Sequence, residues 1–267
     1  MFFTLERSGV GCSVLRAGIH KISRLAQNTY GTRKKIQFSD KDGTSQYSTD
    51  LGYVLQHATM QDQEMKAAAG LLTSEAMPED GVKTAVLLIH AFLERAQEIN
   101  LSEQNVYNSM PAILDTMKVY LHRIAREHDG LLPGSGLYLM NLMRPLLHLA
   151  RTHVETKDAV HALIAVLSLP MKVLAVNAGA DPCEVYERIK TLAPNQFFSL
   201  NHFGLERSID REDSHTDVFS FGIDISDGKI KDVFDADIAV PLDTGIAVLD
   251  YWGSITKQFH SVSEVLQ

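Results

Sequence analysis

The sequence predicts a mainly α protein, a helical bundle that carries small β-hairpins. Three observations carry that expectation. Apolar residues recur at helical spacing along most of the chain, as in Val14, Leu15, Ile19, Ile22 and Leu25. Strand-like alternation is confined to two short places, each folded around a turn that ends in glycine, Asp40-Lys41-Asp42-Gly43 and Asp227-Gly228. No internal repeat, low-complexity tract or shift of composition divides the 267 residues, so a single domain over 1–267 is expected.

The first helix is expected over Cys12–Tyr30, with its apolar stripe on one side. A hairpin follows, pairing Lys35–Phe38 with Ser45–Tyr47. Gln61–Met77 reads as a helix stopped by Pro78. Asp80–Asn100 is apolar almost all round, through Val82, Ala85, Val86, Leu87, Leu88, Ile89, Phe92 and Leu93, which predicts a helix at the centre of the bundle. Leu101–His128 is a long helix started by Ser102 and open to bending at Pro111. Gly130–Gly136, reading GLLPGSG, is a break, and helices are expected after it over Leu137–His153, Lys157–Leu167 and Met171–Gly179. Asp181-Pro182-Cys183-Glu184 has the order of a helix start: N-cap, proline at the first position, and an acid closing the capping box. From Pro194 to Asp237 helical periodicity disappears, and Val218–Ile225 and Lys229–Phe234 alternate as a hairpin. Pro241 opens a last helix to about Val262.

Composition narrows the function classes. An apolar fraction of 45% with 22% charged residues is that of an ordinary globular protein. A net charge of −8 argues against a nucleic-acid partner, which needs a basic face. The longest apolar run, Ala159–Val176, is interrupted by Pro170 and Lys172, so no membrane span is expected. Cys12 and Cys183 allow one disulfide but no framework, which suits a reducing compartment, the cytoplasm or the mitochondrial matrix. Met1–Lys35 holds seven Arg or Lys residues against Glu6 alone. Such a start fits either a mitochondrial presequence or a folded first helix, and the folded helix is the expectation.

Motifs for chemistry are sparse. Asp80-Gly81 stands at the start of the central helix, where free N–H groups and the helix dipole suit a phosphate and a carboxylate can hold Mg²⁺. Capping alone also explains an aspartate there. Gly134-Ser135-Gly136 can let the backbone approach a ligand closely or can simply separate two helices. Asp50, after Ser48-Thr49, is either a cap or a remnant catalytic acid. The eleven histidines form no HExxH pattern, and no GxSxG elbow or Walker-type loop occurs. Asp210–Asp237 carries nine acids against three basic residues, but a calcium-loop register with Gly228 at its sixth position would start on Ile223. A solvated acidic face is the better reading.

Four ordered blocks resemble the equatorial and intermediate domains of chaperonins. Val14-Leu15-Arg16-Ala17 through Asn28-Thr29-Tyr30-Gly31 is similar to that family's first helix and its T-L-G-P-K-G phosphate loop. Ser48-Thr49-Asp50-Leu51-Gly52 resembles T-K-D-G, and Glu79-Asp80-Gly81-Val82-Lys83-Thr84-Ala85 resembles G-D-G-T-T-T-A. Leu121-His122 through Leu132-Pro133-Gly134-Ser135-Gly136 is similar to the helix returning from the intermediate domain into A-G-G-G. Asn177-Ala178-Gly179-Ala180-Asp181-Pro182, then Phe221-Gly222-Ile223-Asp224 through Ile238-Ala239-Val240-Pro241, resembles N-A-G-x-x-P, a G-x-D hairpin and the closing G-I-x-D-P.

The resemblance implies an equatorial-domain-like bundle in which 101–130 is a shortened intermediate-domain remnant. Only about Glu98–Asp115 stands where a chaperonin inserts its substrate-binding apical domain, so no apical domain is expected. It implies a nucleotide site built from Gly31, Thr32, Arg33, Asp50, Asp80, Gly81, Lys83, Thr84, Gly134, Ser135, Gly136 and Val240, with Asp80 on the metal. The cofactors implied are ATP and Mg²⁺, bound weakly or not at all. Departures argue against catalysis. The family's third carboxylate falls at Val119 and its last at Val240, the phosphate loop lacks its proline and second glycine, and Val82 and Lys83 replace two threonines. A non-catalytic structural or assembly protein is therefore expected, self-associating or joining other protein subunits. The alternative is a miniature ATP-binding subunit that hydrolyses slowly and assists folding or modulates chaperonin rings.

Overall fold

The structure, a computed structural model, describes residues 10–192 and 218–264. Helix α1 (Val10–Thr29) turns its stripe of Leu15, Ile19, Ile22 and Ala26 inward, so residues 10–29 enter the core as a folded helix. Gly18 lies on the same side. A Cβ there would stand 2.0 Å from the Glu64 carbonyl oxygen, so α1 crosses α3 (Gln63–Leu72) at backbone contact. Between them, β1 (Ile36–Ser39) pairs antiparallel with β2 (Ser45–Ser48). The Asp40 carboxylate accepts the Asp42 and Thr44 N–H groups at 3.0 and 2.9 Å and closes the turn.

Two boundaries differ from expectation. Helix α2 (Leu51–His57) was not foreseen, because seven residues are too few to display a helical period. Helix α3 stops at Leu72 instead of Met77, and the buried Tyr251 hydroxyl donates to the freed Leu72 carbonyl.

Helix α4 (Val82–Glu98) is the axis of the molecule. Val82, Ala85, Val86, Leu87, Leu88, Ile89, Phe92 and Leu93 are all buried, as their all-round apolarity predicts. A four-residue turn, Ile99–Ser102, leads into α5 (Glu103–Glu127), where Ser102 accepts the Asn105 N–H at 3.2 Å and Pro111 is accommodated inside the helix. Helix α5 packs along α11 (Leu242–Glu264), which also covers α4 through the edge-to-face pair Phe92–Trp252.

The glycine-rich break is more ordered than a loop. Leu131–Leu132 forms β3, which pairs antiparallel with β6 (Val240–Pro241) and ties this segment to the start of α11. Helices α6 (Leu137–Asn141), α7 (Met143–Thr152), α8 (Lys157–Ile164), α9 (Leu169–Asn177) and α10 (Pro182–Leu192) follow. Asp181 accepts the Cys183 and Glu184 N–H groups at 2.8 and 2.9 Å, the helix start read from the sequence. Val154–Asn177 is, against expectation, long and apolar enough to cross a membrane, yet 61% of its apolar window is buried inside the protein. It breaks into α8 and α9 and packs in the bundle, because the turn between them lets both apolar faces reach the core.

The second hairpin, β4 (Phe221–Asp224) with β5 (Lys229–Asp232), covers a smaller core of Leu137, Met140, Met171, Leu174, Val185, Ile189, Phe219, Ile223 and Val233. The buried Asn141 amide holds it in place, accepting from the Phe219 N–H at 2.8 Å and donating to the Phe219 carbonyl at 3.3 Å. The acids of 210–217 and the segment Phe2-Phe3 lie outside the described residues. The mainly α fold class is as the sequence predicts.

One side of α11 carries buried polar atoms without hydrogen-bond partners: Trp252 Nε1, Thr256 Oγ1 and both ring nitrogens of His260. Burial, and then the nearby Arg16 guanidinium, pushes the His260 pKa down from 6.5 to about 4. A histidine held neutral in the folded state costs nothing above pH 6.5, where both states are neutral. As pH falls from 6.5 to 4 the unfolded chain takes up the proton first, so stability is lost across that window. Urea denaturation at pH 7.5 and pH 4 should show the wild type losing roughly 3 kcal/mol more than His260→Leu. Equal losses would remove His260 as the cause.

Candidate functional site

Two adjoining chambers meet at the N-terminal end of α4. The first, of about 370 Å³, is lined by Tyr30, Gly31, Thr49–Leu51 and Glu79–Thr84. The second, of about 330 Å³, shares Tyr30, Gly31, Asp80, Gly81 and Thr84 with it. It adds Ser135, Gly136, Tyr138, Leu174, the hairpin residues Ile223–Ile225, and Ile238, Val240 and Thr244. The first chamber is lined largely by polar and charged groups and the second largely by apolar ones, and chambers of this size suit a small molecule.

Glycines set the shape of this cleft. Gly81 adopts φ +87 and serves as the N-cap of α4, where a Cβ would lie 2.4 Å from Val248 Cγ2. Gly31 adopts φ +66, with Leu174 Cδ2 2.2 Å from the place of a Cβ, so α9 closes over the end of α1. Gly134 backs onto the Ile238 carbonyl oxygen, 1.6 Å from where its Cβ would sit. It lines neither chamber, and its role is to bring β3 and β6 together.

Asp80 does not cap α4. It stands one residue too early, and its Oδ1 accepts the Gly81 N–H at 2.7 Å. No side chain caps the first turn of α4, so its amides and the positive end of its dipole face the first chamber. Asp50 does act as a cap: it precedes α2 and accepts the Gly52 N–H at 2.8 Å while it lines the same chamber. The Thr84 hydroxyl is 2.9 Å from the Tyr30 hydroxyl. Burial, together with the charge of Asp80 and against that hydrogen bond, raises the Tyr30 pKa to about 12. Tyr30 is therefore a neutral hydrogen-bonding group at the junction of the two chambers.

Lys83 reaches across to α1 and donates to the Thr29 carbonyl at 3.0 Å. Burial lowers its pKa, opposed by the charges of Asp50 and Asp80, although among the described residues neither carboxylate forms a direct ion pair with it. Asn177 sits at the same helix end and donates to the Gln27 and Tyr30 carbonyls at 2.8 and 2.9 Å. Lys83 and Asn177 thus add side-chain donors to carbonyls at and just beyond the C-terminus of α1.

Of the residues singled out from the sequence, Gly31, Asp50, Asp80, Gly81, Lys83 and Thr84 come together at the first chamber, and Ser135, Gly136 and Val240 at the second. Thr32 and Arg33 line neither; Thr32 caps its own turn through the Lys34 N–H, and Arg33 is exposed. Val119 stands outside both chambers on α5, 71% exposed. Sequence reasoning missed Tyr30, Glu79, Tyr138, Leu174, Asp224, Ile225 and Thr244 as lining residues. Asp224 is held ionised by Lys231 at 2.6 Å and by Ser226, its pKa lowered to about 2. Tyr30, Glu79 and Asp224 stand within the blocks read from the sequence, whereas nothing local marks Tyr138, Leu174, Ile225 and Thr244, which come from elements far apart in the chain.

Because Gly81 combines a left-handed φ with direct contact to Val248, Gly81→Ala should destabilise the protein by about 2 kcal/mol or more. Gly43→Ala also has a positive φ but meets open space, and should cost about 1 kcal/mol. Chemical denaturation of the pair checks the ordering, and equal losses would remove the packing contribution.

No protein-family model matches the chain. It is 22% identical over 204 residues to Chaperonin GroEL 3 of Psychromonas ingrahamii (strain DSM 17664 / CCUG 51855 / 37), a match over 76% of this chain and 34% of that protein. The chain spans about a third of the length of this curated relative. The similarity supports a distant, chaperonin-like relationship.

Proposed function

We propose that this chain is a chaperonin-like protein built on the equatorial part of that fold, acting as a structural or assembly subunit with a degenerate nucleotide cleft. The observation that carries this reading is the composition of the cleft. It keeps an uncapped helix N-terminus beside Asp80, but has valine where the resemblance expects acids, Val240 in the second chamber and Val119 on α5. Valine neither orients water nor accepts a proton, so an anion can be held without being hydrolysed. Four residues join α4 to α5, which supports the reading that no apical domain is inserted there and that α5 is what remains of the intermediate domain. Partners are then copies of this chain or other protein subunits, a role that its distant similarity to a chaperonin supports. Cys183 carries an exposed thiol, which favours a reducing compartment such as the cytoplasm or mitochondrial matrix.

A second reading, a miniature ATP-binding subunit with slow hydrolysis, is favoured by the way Asp50, Asp80 and the open end of α4 converge on one chamber. Calorimetry and a turnover assay on purified protein separate the two. The expected result is ATP binding that is feeble and lost in Asp80→Ala, with no turnover above background. Sustained turnover that disappears in Asp50→Ala or Asp80→Ala would overturn the structural reading in favour of the ATPase. Native mass measurement with and without ATP tests assembly, and a strict monomer that recovers no partner would count against an assembly role.

A further inference from the structure

The ammonium of Lys83 lies where several sources of negative potential converge. The Thr29 carbonyl accepts from it at 3.0 Å, at the C-terminal and negative end of the 20-residue helix α1. The Asp50 and Asp80 carboxylates both act on it from the cleft, and Glu79 lines the same chamber. Lys83 is also in the first turn of α4, where the helix dipole disfavours a cation and where no acidic side chain occurs. A lysine kept in that position must be held by the groups facing it from α1 and from the loops before α2 and α4.

Those groups are oxygens of the kind hard cations prefer: the Thr29 carbonyl in contact with the ammonium, and Asp50, Glu79 and Asp80 lining the chamber beside it without a direct ion pair to it. They do not fit the Mg²⁺ that the chaperonin resemblance implies. Asp80 has one oxygen committed to the Gly81 N–H, Asp50 has one committed to the Gly52 N–H, and a dication would have to enter beside a fixed positive charge. Among the described residues, no three His, Cys, Asp or Glu side chains gather to hold a metal ion.

We propose that Lys83 is a tethered replacement for a bound cation, so that the cleft is charge-balanced by its own ammonium and any anion it takes binds without a divalent metal. The inference deepens the reading of the cleft as an anion site and rests on that reading only for the anion. Removing the ammonium should let the Asp80 carboxylate take a largely hydrated divalent ion that the wild type excludes. This makes Lys83 a specificity-determining residue: it decides which charge the cleft accepts as a free ligand.

The test uses Mn²⁺ alone as the probe, without nucleotide, read by the loss of its free-ion paramagnetic resonance signal. Wild-type protein should show no Mn²⁺ site that depends on Asp80. Lys83→Met and Lys83→Ala should each gain one, binding at least about tenfold tighter than wild type, and Asp80→Asn should remove it in either background. Lys83→Arg, which keeps the charge, should behave as the wild type. An Asp80-dependent Mn²⁺ site of equal affinity in the wild type overturns the proposal, as does the failure of both neutral variants to gain one while circular dichroism shows them folded. If neither neutral variant folds, the wild type against Asp80→Asn decides alone: a difference between them overturns the proposal, and no difference supports it. ATP calorimetry with and without Mg²⁺ is a separate arm. Absence of nucleotide binding there would sink the anion reading and leave the metal result standing.

Discussion

Everything in this molecule is arranged around the burial of α4. Eight apolar side chains spread around its circumference are buried, so other helices must surround most of it: α1, α2, α8, α9 and α11 all touch it, and only its last turn, with Arg95, Gln97 and Glu98, is exposed. Each large side chain withdrawn from water there contributes about 1.5–3 kcal/mol before ordering costs are counted. A helix enclosed in this way still has open amides at its first turn, because backbone hydrogen bonding inside a helix always leaves them. The cleft lies where the enclosure stops, at Gly81, and its polar character follows from the helix end that it exposes.

The opposite chemistry governs the neighbouring end of α1. Its last carbonyls point toward the start of α4, and two side chains from distant parts of the chain answer them, Lys83 and Asn177. A positive helix end and a negative one therefore face each other across a single cleft. That arrangement places anion-binding amides and cation-binding carbonyls within one small volume, which is useful for a ligand carrying both an anion and its counter-ion. Here the counter-ion position is met by a lysine of the chain itself, and Tyr30 takes up the hydroxyl of Thr84 beside it. The glycines are equally structural: Gly31, Gly81 and Gly134 are pressed by Leu174, Val248 and Ile238, so their smallness is used for packing as well as for access.

This double use explains how a fold can outlast its chemistry. Residues such as Asp50, Gly81 and Asn177 secure a helix cap, a backbone turn and a helix terminus, whatever occupies the cleft. In the proposed reading, a valine in place of an acid at Val240 in β6 or at Val119 on the exposed side of α5 would leave these contacts in place. Catalytic groups can be lost one at a time, while the glycines and caps are retained by the energetics of folding.

The helices, the two hairpins and the buried axis were legible in the sequence, because periodicity and turn residues are local properties. The stripe of α1, the all-round apolarity of α4, the Ser102 and Asp181 caps and both glycine turns each lie within a few residues of what they determine. Helix α2 and the short pair β3–β6 were not legible, since seven residues and two residues carry no period. The site was half legible: Asp50, Asp80, Gly81 and the glycine loop stand in recognisable order, but Tyr138, Leu174 and Thr244 do not. Most of all, the sequence could mark Lys83 as a departure without saying what it touches. Its partner carbonyl is 54 residues away, and the Asn177 contact beside it spans 150. By itself the sequence determined which faces of the chain must be buried, because the distribution of apolar side chains is written in it directly. Only the tertiary structure decided which helix ends meet, because the partners of a free carbonyl or amide are chosen by packing between segments that no local pattern connects.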